Sequence, residues 1–104
     1  MDVFEALADP RRRRVVQMLS VSPRRAGELA NAAGMSAPAM SRHLKTLLDA
    51  GLIEDERPRD DARLRVFRLR PNSFVAVQAF LDQLQAHWNV QLRSFKRHVE
   101  AKRP

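Results

Sequence analysis

Polar and apolar residues between positions 26 and 51 follow the period of two short helices joined by a tight turn. The first helix has a narrow apolar stripe with the spacing i, i+3, i+4 and i+7, formed by Ala26, Leu29, Ala30 and Ala33. Gly34 follows the stripe, and glycine is favoured there because it adopts a positive φ at little cost. Ser36 is then a suitable N-cap for a second helix, which has Pro38 in its first turn and stops at Gly51. The pattern predicts a helix-turn-helix over residues 26–51.

The second helix of this motif has two chemically different faces. Its apolar face consists of Met40, Leu44, Leu47 and Leu48. The opposite side carries Pro38, Ser41, Arg42 and Lys45. A solvated polar surface is the ordinary interpretation of such a side, but the residues that follow the motif favour a binding face.

After Gly51 the sequence predicts two short strands around a polar loop. The first strand contains Leu52, Ile53 and Glu54, the loop covers residues 55–63, and the second strand covers residues 64–69. Alternation places Arg65, Phe67 and Leu69 on one face of the second strand, with Phe67 and Leu69 packing inward. A helix-turn-helix followed by a β-hairpin wing over residues 52–70 is a winged helix. The expected fold is therefore mainly α with a small β-hairpin wing and five helices.

Two helices are predicted before the motif. Asp2 can cap a short helix with Phe4, Leu7 and Ala8, and Asp9 with Pro10 begins a second helix that carries Val15, Val16 and Leu19 and ends at Ser22 and Pro23. The run from Arg11 to Arg14 opposes the helix dipole, because cations are unfavourable at a helix N-terminus. Phosphate contacts and ion pairs with Asp9 or Glu5 are the two arrangements that would offset this cost.

A long helix is predicted over residues 73–101, capped by Asn72 or Ser73. Such a helix is about 42 Å long, whereas a compact chain of this size has a diameter of about 33 Å. The apolar residues of its second half would stay exposed unless another copy covered them, so we expect a homodimer. Folding back onto the first helix of the same chain is the alternative. The apolar stripe begins at Val77, and the expected interface residues are Phe4, Leu81, Leu84, Trp88, Leu92, Phe95 and Val99.

Composition and charge limit the size of the protein and the class of its partner. The 104 residues, of which 44% are hydrophobic, suffice for one domain, expected over residues 1–104. Nineteen Lys and Arg residues against twelve Asp and Glu residues give a formal net charge of +7. Such a charge favours polyanionic partners, and double-stranded DNA is the obvious one.

Several classes of function are disfavoured by what the sequence lacks. It has no cysteine, which removes disulfides and thiolate metal sites. It also has no tyrosine, no glycine-rich phosphate loop and no Ser, His and carboxylate set at a recognisable spacing, so we expect neither an enzyme nor a cofactor. No apolar stretch approaches about 18 residues and no secretory signal is evident, which predicts a soluble, cytoplasmic protein without membrane contact.

The chain also resembles a known family. Residues 4, 6–10 and 12–15 are similar to the opening of ArsR-type bacterial repressors, and residues 27–30, 36, 41–45, 47 and 50–52 match that family's recognition region. The resemblance covers roughly residues 3–71. Two departures stand out: the wing lacks the usual glycine, and Ala37, Pro38 and Ala39 replace polar residues often found at the start of the recognition helix.

The resemblance implies a sequence-specific transcriptional regulator, expected to be a repressor, that binds an imperfect palindrome as a homodimer. The wing arginines are expected to contact the DNA backbone rather than bases, and His43 to pack at the core boundary rather than to contact a base. A dimeric winged-helix module that binds a protein instead of an operator is the alternative, and the effector is left open. The expected DNA-binding residues are Ser36, Ala37, Pro38, Ala39, Ser41, Arg42, Lys45, Arg59, Arg63 and Arg65.

We do not expect a metal to be the switch of this protein. Arg25 and Gly27 occupy the positions where some members of the resembling family bind metal through cysteines. His87 and His98 lie eleven residues apart on the last helix, a spacing that resembles the histidine pair of zinc-sensing members. The flanking ligands of that pair are absent, and two histidines leave a tetrahedral zinc short of protein ligands. Solvated histidines are the expected interpretation.

Overall fold

The computed structural model describes residues 2–57, 61 and 64–102. The chain divides into two compact units, Met1–Phe74 and Val75–Pro104. No helix in the described ranges is long and apolar enough to span a membrane. In these ranges the structure has five helices and three short strands, in the order α1 (Val3–Ala8), α2 (Pro10–Val21), β1 (Arg24–Arg25), α3 (Ala26–Ala33), α4 (Ala37–Asp49), β2 (Ile53–Glu56), β3 (Val66–Leu69) and α5 (Ser73–Ala101).

The helix ends of the first unit lie where the capping residues predict them. The carboxylate of Asp2 accepts a hydrogen bond from the Glu5 N–H (2.8 Å), and that of Asp9 accepts one from the Arg11 N–H (2.7 Å). Gly34 ends α3 with a φ of 65°, in the left-handed region. The Ser36 hydroxyl accepts a hydrogen bond from the Ala39 N–H (3.3 Å) and so caps α4. The helix-turn-helix is confirmed, because α3 and α4 form over the predicted range and Gly34 and Ser36 fix the turn between them.

The hydrophobic core of the first unit lies between the sheet and the four helices α1, α2, α3 and α4. The predicted inward residues of α2, α3 and α4 are buried or half-buried, and Phe67 of β3 is 2% exposed. Ala6 is the one inward residue of α1 that is fully buried, although the sequence pattern pointed to its neighbours. The buried residues are Ala6, Val15, Leu19, Leu29, Ala30, Met40, Leu44, Leu47, Leu52, Ile53 and Phe67.

The predicted hairpin wing is confirmed, since β2 pairs with β3 in antiparallel register, and a third strand extends it to a sheet in the order β1-β3-β2. Strand β1 is the addition, with Arg24 opposite Phe67 and Arg25 opposite Val66. The first wing strand is also longer than expected, because β2 runs through Asp55 to Glu56 instead of ending at Glu54. Pairing with β3 holds these acidic residues in the strand.

The second unit is the part of α5 that begins at Val75. The helix starts at Ser73, as expected, but the Ser73 hydroxyl donates to the carbonyl oxygen of Arg70 (2.6 Å). Ser73 is thus the first helical residue and not the N-cap. From Val75 to Lys102, no described residue is buried.

Candidate nucleic-acid interface

One side of α4 is anchored in the core and the other is open to solvent. Met40, Leu44 and Leu47 are at most 2% exposed, which fixes the rotation of the helix about its axis. The predicted DNA-binding residues of this region lie on the accessible side: Ser36, Ala37, Pro38, Ser41, Arg42 and Lys45 are exposed, and Ala39 is half-buried. The sequence therefore placed the face of α4 correctly, whereas the DNA contacts themselves stay a prediction.

His43 lies on the edge between these two sides and is half-buried. Its surroundings include the N-terminus of α2, where Asp9 has a lowered pKa. The main cause is the hydrogen bond from the Arg11 N–H, with smaller contributions from the charges of Arg12 and His43. This position supports the interpretation of His43 as a residue of the core boundary.

Two side chains of the arginine run in α2 are bound within the fold. Arg12 lies 3.6 Å from the Asp9 carboxylate and donates to the carbonyl oxygens of Ala6 (2.6 Å) and Glu5 (3.3 Å). Arg14 donates to the carbonyl oxygen of Ala32 (3.4 Å), which ties α2 to α3. These contacts favour the structural alternative for Arg12 and Arg14, because both side chains satisfy carbonyl groups of neighbouring helices.

Two described cations of the wing, Arg65 and Arg68, are paired with carboxylates of β2. The Nε atom of Arg65 lies 2.5 Å from Asp55, and its guanidinium carbon lies 4.7 Å from the centroid of the Phe67 ring. Arg68 pairs with Glu54 (2.8 Å) and Glu56 (3.4 Å). Arg65 would therefore have to share its charge between Asp55 and a DNA phosphate. Arg59 and Arg63 lie outside the described residues.

A cleft of about 910 Å³ opens beside the exposed side of α4. We call it the α3–α4–β3 cleft, because its walls are the start of α3, the middle of α4 and the strand β3. Arg25 and Glu28 belong to it and were not among the predicted site residues. The pairing of β1 with β3 brings Arg25 here, and no pattern in the sequence signals a strand of two residues. The cleft is lined by Arg25, Ala26, Gly27, Glu28, Ser41, Leu44, Lys45, Leu48, Arg65 and Phe67.

The apolar stripe of α5 is accessible in the single chain. Trp88 is 61% exposed and Phe95 66% exposed, and the other expected interface residues of this helix are exposed as well. Phe4 of α1 is 45% exposed. His87 and His98 are exposed too, and no group of three or more His, Cys, Asp or Glu residues suited to a metal ion occurs among the residues that the structure describes.

Together, the anchored α4, its capped N-terminus and the adjoining three-stranded sheet define a winged helix-turn-helix protein. Residues 9–55 match the family model described as bacterial regulatory protein, arsR family. The chain is 35% identical over 98 residues to the HTH-type transcriptional regulator Rv2034 of Mycobacterium tuberculosis, a match that covers 94% of this chain and 86% of the relative. The chain belongs to the ArsR family of transcriptional regulators, which are DNA-binding proteins and not enzymes.

Solved structures agree with this assignment. The crystal structure of the ArsR family transcriptional regulator RHA00566 superposes with a TM-score of 0.72 at 36% identity, covering 83% of this chain and 86% of that one. The homodimeric winged helix-turn-helix DNA-binding domain Mb0332 of Mycobacterium bovis superposes with a TM-score of 0.62 at 28% identity, covering 82% and 80% of the two chains.

A second relative in sequence is a repressor. The transcriptional repressor SdpR of Bacillus subtilis is 38% identical over 56 residues, which is 54% of this chain and 62% of that protein.

Proposed function

We propose that this protein is a repressor that binds an imperfect palindromic operator as a homodimer. The observation that carries the proposal is the exposed side of α4, where Ser41, Arg42 and Lys45 project from a helix whose other side is buried. Hydroxyl, guanidinium and ammonium groups are the donors that reach base edges and phosphates in a major groove. Because the helix is fixed by its core residues, these donors are presented together.

The stripe of α5 supports the dimer. Trp88 and Phe95 are each more than half exposed in the single chain, and apolar side chains at consecutive turns of one helix are typical of an interface between copies. The homodimeric relative from M. bovis supports the same arrangement. A two-fold dimer places two recognition helices about 34 to 36 Å apart in successive major grooves, which requires a palindromic target.

Repression is supported by the relative from B. subtilis, which is a transcriptional repressor. A dimer bound across a promoter excludes the polymerase without further contacts, so the DNA-binding unit is sufficient for this role. A regulator that acts on a bacterial chromosome works in the cytoplasm.

The test is selection of bound duplexes from a random library, followed by footprinting on the selected site. We expect the selection to enrich a sequence with two-fold symmetry whose half-sites lie about one helical turn apart. Footprinting should show protection of this sequence and of a similar site in the promoter of a regulated gene. Enrichment of a single unsymmetrical half-site would contradict the dimeric mode, and failure to enrich any sequence would contradict operator binding.

The second candidate is a dimeric winged-helix module that binds a protein. The first turn of α4 favours it, because Ala37, Pro38 and Ala39 offer no side-chain hydrogen-bond donor to a base edge. An intact dimer that enriches no DNA sequence and captures a protein partner through α4 would support this candidate. Loss of that capture in Arg42→Ala would place the partner on the same face.

A further inference from the structure

We propose that the α3–α4–β3 cleft binds a small organic anion with an apolar body, and that the bound anion competes with DNA. This inference rests on the proposed function, since it assigns an effector to the DNA-binding face. The volume of about 910 Å³ lies within the usual range of small-molecule sites.

The lining of the cleft combines an apolar floor with a polar rim. Leu44 and Phe67 are each 2% exposed and form part of the floor with Leu48 and Ala26. The rim contains four charged residues: Arg25 at the end of β1, Glu28 of α3, Lys45 of α4, and Arg65 just before β3. An apolar surface with a few charged groups at its edge is the usual composition of a site for an amphipathic ligand.

The charges at the rim favour an anion. The lining contains three cations, Arg25, Lys45 and Arg65, and one carboxylate, that of Glu28. The Glu28 carboxylate accepts a hydrogen bond from the Arg25 N–H (3.3 Å). Arg65 is paired with Asp55. Arg25 and Lys45 make no ion pair within the described ranges of the chain, so their side chains are available for a carboxylate or sulfonate group. A DNA phosphate would satisfy the same cations and leave the apolar floor unused, which is the reason to expect a ligand with an apolar body.

Competition follows from shared residues. Ser41 and Lys45 belong both to the exposed side of α4 and to the wall of the cleft. An anion held by Lys45 removes that cation from the DNA contact and adds negative charge beside the path of the phosphates. Binding of the anion and of DNA should therefore be mutually exclusive, and each should weaken the other by the same factor.

Gly27 offers a way to close the cleft. It lines the cleft, and a Cβ atom built on it would have no heavy atom within 4 Å. We expect a phenylalanine at this position to fill part of the cleft, and the replacement does not strain the backbone because the φ of Gly27 is not positive. Gly27→Ala adds only a methyl group and is the matched control.

The experiment uses 1-naphthoate as the probe and uncharged 1-naphthalenemethanol as its charge control. Calorimetry without DNA should show saturable binding of naphthoate to the wild-type protein and at least about tenfold weaker binding of the alcohol. The affinity for naphthoate should fall by a similar factor in Gly27→Phe and stay unchanged in Gly27→Ala. Amide chemical shifts of the wild-type protein should change at Gly27, Leu44 and Lys45. The shift changes locate the ligand in the wild-type protein, so they test the site even where Gly27→Phe fails to fold.

In the experiments without DNA, three results would overturn the inference: no saturable binding of naphthoate up to about 10 mM, equal binding of the alcohol, or shift changes confined to α5. The last step titrates naphthoate into the complex of the wild-type protein with its selected operator. Release of DNA supports the inference, whereas a ternary complex contradicts it while leaving operator binding intact. Failure to bind any operator contradicts the proposed function and does not alter the outcome of the calorimetry.

Discussion

At the scale of single residues, two glycines separate the effect of backbone conformation from that of packing. A methyl group on the Cα atom of Gly34 or Gly27 would meet no heavy atom within 4 Å, but only Gly34 has a positive φ, of 65°. We expect Gly34→Ala to lower the free energy of unfolding by about 1–2 kcal/mol, because an L-residue is strained in the left-handed region. Gly27→Ala should raise it by about 0.4–1 kcal/mol, since alanine fits the φ of this position and restricts the unfolded chain more than glycine does. Urea denaturation of both variants is the measurement, and equal effects of the two substitutions would contradict this reasoning.

Asp9 combines a helix cap with a pH-dependent charge. Its pKa is lowered from the ordinary value of 3.8, chiefly by the Arg11 N–H. The native state therefore favours the ionised carboxylate, and this stabilisation is complete above that ordinary value and is lost as the pH falls through the lower native pKa.

The matching variants are Asp9→Asn and Asp9→Ala. Asp9→Ala removes the cap and should cost about 1 kcal/mol at neutral pH. Asp9→Asn can still accept the hydrogen bond from Arg11, so it should lose mainly the acid-dependent part of the stability. Thermal unfolding between about pH 2 and pH 7 distinguishes them, and a wild-type acid slope retained in Asp9→Asn would assign the dependence to other carboxyl groups.

At the scale of elements, one set of α4 residues holds the helix in the core and another set is expected to contact DNA. Arg42 and Lys45 are exposed, whereas Met40 and Leu44 anchor the helix. We expect Arg42→Ala or Lys45→Ala to abolish specific operator binding and to leave the folded dimer intact. Mobility shifts at about 0.15 M salt test this, with Lys96→Ala of α5 as the control for loss of one exposed cation. Operator affinity within about threefold of wild type in both variants would show that α4 is not the recognition helix.

Helix α5 separates assembly from recognition in a similar way. Trp88→Ala should shift the protein towards monomer, since truncating a Trp that becomes buried costs about 3–5 kcal/mol, and operator binding should weaken only through lost dimerisation. Sedimentation at micromolar concentration measures the shift. His87→Ala alters the adjoining residue and is the control. A wild-type dimer in Trp88→Ala would exclude this stripe from the interface.

At the scale of the whole molecule, the prediction concerns what can switch the regulator. We expect zinc, nickel and cobalt to leave operator affinity unchanged, because the chain has no cysteine and a histidine pair is too few ligands for a tetrahedral site. Calorimetry with each metal, followed by operator binding with and without it, provides the test. Sub-micromolar binding that disappears in His87→Ala and changes operator affinity about tenfold would make this protein a metal sensor.

The helix-turn-helix and the sidedness of α4 were predictable from the order of the residues alone. Gly34, Ser36 and the apolar spacing of α4 act within one or two helical turns, so neighbouring positions in the chain already contain the information. The five helices and the inward direction of Phe67 were predictable for the same reason. The single domain over residues 1–104 and the individual DNA contacts stay predictions.

The positions of the remaining side chains depend on the folded chain as a whole. Strand β1 exists because β3 offers it a partner, and Arg25 thereby joins Lys45 at the rim of the cleft. Arg12 and Arg65 are both candidates for a phosphate contact when only the sequence is known. In the structure, Arg12 donates to backbone carbonyl groups of α1, and Arg65 pairs with Asp55 across the wing. These outcomes depend on how different helices and strands pack against one another, and the pattern of polarity within one element carries no record of them.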